Sequence, residues 1–218
     1  MAVDPGGTGR LASRLSAVPP LGVRGVWDAM VAQGKPQLAF ACSDGTIARA
    51  HHKARQRPAE QTHRLNLRFN RNGAAEMEAL GRSRGGLGTK IIGVCDAAGR
   101  LVDFLLAPAR RVNWPRLSCC SDVCPRRPDW VLADMACDAR EFRAVVRAMG
   151  AIPVVPSCKG ATQPQPCPIY IYRHRNPIER CSARLKERTA IATRYDKTAL
   201  SYAADIALVA ALDWFKRR

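Results

Sequence analysis

The chain has 218 residues, 47% of them apolar and 24% charged, which is enough for one domain of ordinary size with a genuine core. Thirty-five Lys and Arg against 18 Asp and Glu leave a formal charge of +17, so a polyanion such as nucleic acid is the expected partner class. Arg outnumbers Lys 28 to 7, and the planar guanidinium is the cation that grips phosphate bidentately.

Residues 1–36 read as a residual N-terminal region, partly disordered or helical. Met1–Leu15 lacks the apolar centre of a signal peptide, which predicts a cytoplasmic protein. Val26–Val31 predicts a short helix that stops near Gly34 and Pro36. From residue 37 to 218 the pattern is that of one folded domain. Gln37–Cys42 reads as a buried strand that delivers Asp44 at its C-terminal end. Gly45–Lys90 then carries ten Lys or Arg and three Glu, and is punctuated by Gly81, Gly85 and Gly86, as expected of a basic connection.

Thr89–Cys95 and Leu101–Leu106 are strand-like runs joined by Asp96–Gly99, a tight-turn sequence that predicts an antiparallel hairpin. Segment 109–128 loses all pattern and reads as irregular, with Pro115, Pro125 and Pro128. Its Cys120 and Cys124 are half of a zinc motif with no second pair to complete it. Nine cysteines without an export signal predict free thiols. Asp129–Ala133 resumes as a strand, with Asp134 at its end.

Asp138–Glu141 resembles a capping box opening a helix over Phe142, Val145, Val146 and Met149, with Gly150 as the stop. Ile152–Val155 predicts a further strand, and 156–168 a Pro-rich loop. Ile178, Cys181 and Leu185 mark an amphipathic helix, and a last helix is expected from about Thr198 to Phe215. Within it Ile206–Leu212, the most apolar stretch, is far short of the roughly 20 residues of a membrane span, so no membrane is expected. Elements in this order predict a mixed α/β fold in which helices flank a central mixed sheet and acidic residues stand at strand ends.

Asp44, Asp134 and Glu179 are the carboxylates to follow, because three converging carboxylates in basic surroundings suit Mg²⁺ and a phosphate substrate. Each has an ordinary alternative. Asp44 before Gly45 suits an Asx turn, and Asp134 suits a strand end or an Arg partner. Asn176-Pro177-Ile178-Glu179 is itself a good helix start, with Asn as cap and Glu reaching back. On a helix, Arg175 and Lys186 fall roughly 40° and 20° to the same side of Glu179. That face suits either a metal ligand flanked by phosphate contacts or plain surface ion pairing.

Tyr172-x2-Arg175-x3-Glu179-x6-Lys186 resembles the Tyr-Arg-Glu-Lys signature of DDE transposases of bacterial insertion sequences, in the insertion-sequence-four and insertion-sequence-five superfamily and most like the latter. Gly81-Arg-Ser-Arg-Gly-Gly-Leu-Gly-Thr-Lys90 and Ile191-Ala-Thr-Arg-Tyr-Asp-Lys-Thr198 resemble two further segments of that family, and the likeness runs from about Val26 to the end. The resemblance implies an RNase H-like fold and a catalytic triad of Asp44, Asp134 and Glu179 that binds two Mg²⁺ ions, with Mn²⁺ as a substitute. It implies hydrolysis at the element end followed by attack of the freed 3′-hydroxyl on target DNA.

By the same resemblance Tyr172, Arg175 and Lys186 position phosphates or the element end, and Arg82, Arg84 and Lys90 contact DNA backbone. The implied partners are the terminal inverted repeats, target DNA and further copies of the chain in a synaptic complex, at the bacterial nucleoid. Departures from the family pattern include Met135 and Cys137, where Lys and Tyr are usual, and Pro177, where a helix-compatible residue is common. The alternative reading is a catalytically inactive transposase remnant that only binds DNA.

Overall fold

The computed structural model of the protein describes residues 23–54, 78–109 and 127–217. The expectations for residues 1–22, for the basic stretch 55–77 and for 110–126, with Cys120 and Cys124, lie outside the described residues.

The first helix, α1 (Val23–Gln33), leads into the long strand β1 (Phe40–Ala50). Next among the described residues come β2 (Gly81–Ser83), β3 (Gly86–Cys95) and β4 (Leu101–Pro108). The second half comprises β5 (Trp130–Ala133), α2 (Arg140–Ala148), β6 (Ile152–Val154), α3 (Ile169–Tyr172), α4 (Asn176–Lys186), α5 (Thr189–Ala192), β7 (Thr193–Arg194) and α6 (Ala199–Lys216).

β1 is the axis of the sheet. One edge pairs antiparallel with β3, from Cys42 opposite Cys95 to Arg49 opposite Gly88. The other edge pairs parallel with β5 from Phe40 to Ser43, and later with β7 at Arg49 and Ala50. β6 extends the sheet in parallel beyond β5, while β2 and β4 both line the far edge of β3 in antiparallel fashion. Antiparallel strands on one side of β1 and parallel strands on the other form the mixed central sheet that the order of elements predicted.

The expected hairpin forms between β3 and β4. Asp96 anchors its turn by accepting the Arg100 N–H at 2.9 Å and pairing with the Arg100 guanidinium at 2.7 Å, both groups buried. Gly99 supplies the left-handed φ of +76° that the turn needs.

Three expectations change. β1 does not stop at Asp44; the β-branched Thr46 and Ile47 carry it on to Ala50, which leaves Asp44 in the interior of the strand. Gly81–Gly86 is not a loop but the β2–β3 hairpin. Asp138 does not cap α2, which starts at Arg140 with Ala139 in the cap position. Its carboxylate instead accepts from Arg143 at 2.7 Å and from the Cys158 N–H at 2.7 Å. A buried guanidinium wins that competition because it brings a full charge to the carboxylate, and Arg143 also reaches the Val155 carbonyl at 2.7 Å.

Apolar side chains fill both faces of the sheet. One face holds Cys42, Ile91, Phe104 and Leu132 against Trp27 of α1, Ile178 and Leu185 of α4, and Tyr202, Ile206 and Trp214 of α6. The other holds Ala41, Ile92, Val131 and Ala133 against Phe142 and Val146 of α2. The last helix is capped by Thr198, whose hydroxyl accepts the Ser201 N–H at 3.1 Å.

Two sequence segments far apart in the chain meet at Arg194. This side chain is fully buried and donates to Thr89 Oγ1 at 2.7 Å, to the Glu78 carbonyl at 2.8 Å and to the Asp196 carbonyl at 3.0 Å. Its guanidinium also lies 5.3 Å from the Tyr202 ring centroid. Thr89 passes the network on by donating to the Ala79 carbonyl at 2.8 Å.

Candidate active site

The pleat of the sheet decides which carboxylates can meet. Successive strand residues point to opposite faces, so Cys42 and Leu132 share the α4 face while Ala41, Val131 and Ala133 share the α2 face. Ser43 opposite Ala133 is the last β1–β5 pair. Asp44 and Asp134 are the next residue on each strand, and Asp134 keeps an extended backbone with φ −75° and ψ 171°. Both carboxylates therefore stand side by side on the α4 face.

Just beyond them, the edge of β1 has left β5 and has not yet met β7. Lys186 fills this gap, its ammonium donating to the Ile47 carbonyl at 2.8 Å. Burial lowers the pKa of Lys186, and the charge of Asp44 works against that shift. Asp44 accepts the backbone N–H of its neighbour Gly45 at 2.8 Å, and because the strand runs on through both residues this bond to the next residue is not the Asx turn expected from sequence.

Asp134 is held by the turn that follows it. Met135–Cys137 is a single 3₁₀ turn, and the Cys137 thiol donates to Asp134 Oδ1 at 2.8 Å. Burial, and then that hydrogen bond, push the thiol pKa upward, so Cys137 is a neutral donor.

The third carboxylate sits on a continuous helical run. α3, a 3₁₀ turn over Arg173–Arg175 and α4 follow without a break, so Asn176 is helical rather than a cap, with φ −50° and ψ −32°. Pro177 near the α4 start has no N–H for the carbonyl of Arg173, and the tighter winding just before it accommodates that loss. Glu179 is exposed and ion-paired with Arg175, one turn back, as the spacing allowed.

Arg175 lies 5.9 Å from the Tyr172 ring centroid, and burial raises the pKa of Tyr172 while Arg175 opposes the rise. The run is fastened to β1 by two contacts that the sequence did not advertise. His174 stacks on Phe40 at 4.9 Å, and its carbonyl accepts the Cys42 thiol at 3.4 Å.

The structure thus brings Asp44, Asp134 and Lys186 together, with Tyr172, Arg175 and Glu179 on the helical run that crosses them. The other three predicted residues stand apart. Arg82 and Arg84 are exposed on the β2–β3 hairpin. Lys90 lies opposite Ile47 in the sheet and beside Gly45, which puts it on the face away from Asp44. Cys137 and His174 were missed because neither belongs to a spacing pattern of its own; their roles arise from what the sheet puts beside them.

Asp44 and Asp134 fit a hard divalent cation, since adjacent carboxylate oxygens are the donors such ions take. Glu179 is engaged by Arg175, and among the described residues no three His, Cys, Asp or Glu side chains converge into a metal-binding group. None of the described helices is long and apolar enough to cross a membrane.

An acidic pair at the end of two parallel-paired strands, beside a basic helix, offers oxygen donors and cations of the kinds that a divalent ion and a phosphate take. Residues 131–216, which include Asp134 and Glu179, match the family model described as a transposase DDE domain. The match covers less than half of the chain and makes this region similar to a transposase DDE domain, without assigning an insertion-sequence family.

Two solved structures are similar at 12% identity, each over 89% of this chain. They are the Mos1 transposase paired-end complex with left transposon end, at a TM-score of 0.35 over 66% of that chain, and the Mos1 strand transfer complex, at 0.33 over 58%. The chain spans less than two thirds of the length of either. No curated protein matches the sequence.

Proposed function

We propose that this chain is the catalytic part of a transposase of the insertion-sequence-four and insertion-sequence-five superfamily, cutting DNA at the ends of its element and joining those ends to target DNA. The observation that carries the reading is that Asp44 and Asp134 each follow the last β1–β5 pair, Ser43 opposite Ala133, with Lys186 bonded to the Ile47 carbonyl farther along β1. Asp44, Asp134 and Glu179 would hold two Mg²⁺ ions, or Mn²⁺ in their place, and these would supply Lewis-acid stabilisation of the attacking and leaving oxygens.

The chain's own residues do the rest. Asp44 and Asp134 present oxygen donors from a rigid sheet, and Glu179 would join them from the helical run once it leaves Arg175. Arg175 and Tyr172 meet the scissile strand at its phosphates, where Arg175 exchanges its Glu179 partner for a phosphate oxygen. Lys186, anchored on Ile47, keeps a positive charge next to the carboxylate pair. Arg82 and Arg84 contact the DNA backbone farther out on the β2–β3 hairpin, and Lys90 does so from the other face. The terminal inverted repeats, target DNA and a second copy of the chain in a synaptic complex are the partners of this reading, at the bacterial nucleoid.

The test is cleavage and joining by the full chain on DNA that carries its own gene with native flanks, with Mg²⁺ or EDTA, beside Asp134→Asn. Mg²⁺-dependent ends at the element boundary that vanish in the variant are expected. Salt-sensitive DNA binding without cleavage in either protein would instead mark an inactive copy that only binds DNA.

A further inference from the structure

The turn after β5 contains a contact that the proposed reaction does not use. β5 ends at Ala133, and the chain closes at once into Met135–Cys137, with the Cys137 N–H donating to the Asp134 carbonyl at 3.0 Å. A 3₁₀ turn has three residues, so a side chain three positions on returns above the first. The Cys137 thiol therefore comes back over Asp134 and donates to Oδ1 at 2.8 Å.

The surroundings make that contact specific. Cys137 is fully buried among Ala41, Ala133, Phe142 and Val146, so its S–H has no water to turn to. The turn is also pinned from its far end. Asp138, the next residue, is clamped by the buried Arg143 and by the Cys158 N–H, and the Cys158 thiol donates to the Met135 carbonyl at 3.8 Å.

We propose that Cys137 is a positioning residue for Asp134: its thiol holds Oδ1 on the protein side, fixes the carboxylate rotamer and leaves Oδ2 to be presented on the α4 face to a divalent cation. This rests on the reading that Asp134 is a metal-holding carboxylate. The logic is that of outer partners at metal sites, which orient the ligand and whose removal costs about 10–100-fold in metal affinity or activity. Ser is the conservative replacement, since its hydroxyl is a better donor than a thiol. Ala and Val remove the donor, and Val keeps most of the volume.

The experiment is a Mn²⁺ titration of the full-length protein, following free Mn²⁺ by electron paramagnetic resonance. It uses the unmodified protein, Cys137→Ala, Cys137→Val, Cys137→Ser and Asp134→Asn, with thermal melts, DNA affinity and cleavage rates in parallel. Cys137→Ala and Cys137→Val should each weaken Mn²⁺ binding and slow cleavage by about tenfold while DNA affinity holds, and Cys137→Ser should restore both. If one donor-less variant fails to fold, the other carries the comparison. Unchanged Mn²⁺ affinity in a folded donor-less variant, with Asp134→Asn abolishing binding, overturns the proposal and leaves Cys137 a packing residue. Mn²⁺ binding that survives Asp134→Asn would refute the metal-holding role of Asp134 itself, and this inference with it.

Discussion

Arg194 belongs to the Ala-Thr-Arg-Tyr-Asp-Lys-Thr segment, and in so basic a chain it would pass for a DNA contact. Its position makes it structural: the side chain has no exposure, and its donors serve Thr89, Glu78 and Asp196. Arg194→Met keeps much of the aliphatic bulk but leaves Thr89 Oγ1 and the Glu78, Asp196 and Lys197 carbonyls without their donor. Stripping one buried acceptor costs about 1–3 kcal/mol, and breaking a buried charged network about 3–5 kcal/mol. Glu78 lies 3.9 Å away and keeps 32% side-chain exposure, so it rehydrates and the total belongs near the low end, about 3 kcal/mol.

At about 2–4 °C per kcal/mol for a chain of this size, the melting temperature should fall by about 6–12 °C. Arg194→Lys retains the charge, but one ammonium cannot reach all four acceptors, so about half of that loss is expected. Circular dichroism melts and urea titrations of the three proteins decide the matter. A fall of less than about 2 °C in Arg194→Met, with DNA affinity lost instead, would refute the argument and make Arg194 a ligand-facing residue.

Two further perturbations probe the frame of the site. Burial alone would raise the Asp138 pKa, but hydrogen bonds from Arg143 and from the Cys158 N–H outweigh it and hold the carboxyl below its ordinary value. Its contribution is thus present above the unfolded-state pKa of about 3.9 and lost as pH falls through the lower folded value. Asp138→Asn should be less stable near neutrality and show a flatter acid limb in urea midpoints measured from pH 7 to 3; an unchanged limb would deny the clamp.

Gly34 closes α1 where a Cβ would lie 2.5 Å from the Trp214 ring and 2.8 Å from the Met30 carbonyl. Gly34→Ala should cost about 1–3 kcal/mol by urea denaturation. At Gly85 a Cβ would meet only Ser83 Oγ at 3.8 Å, so Gly85→Ala should be near neutral, and equal losses at both sites would contradict the close-approach account.

Much of the site was legible before any coordinates. The Arg175, Glu179 and Lys186 spacing reported one helical face, and the helix runs as that spacing requires, with the Arg175–Glu179 ion pair as its direct expression. Asp134 was expected at the end of a short apolar strand and stands there. Where local reading failed, a longer-range partner was the reason. Asp138 reads as a cap only while Arg143 is ignored, and Asn176 only while the preceding Tyr172–Arg175 turn is ignored. β1 reads as ending at Asp44 because Asp-Gly is a turn signal, but pairing with β3 over eight positions holds the strand extended through it.

The sequence by itself determined the alternation that puts helices on both faces of a sheet, the hairpin at Asp96–Gly99 and the order in which the acidic residues arrive. These are properties of neighbouring residues, set by periodicity, turn chemistry and charge. Only the tertiary structure decided that Asp44 and Asp134 occupy the same face at neighbouring positions, that Lys186 fills the gap between β5 and β7, that Lys90 faces the other way, and that Cys137 holds Asp134. Each of those depends on the register between strands that are distant in the chain, where a shift of one residue would send every side chain to the opposite face.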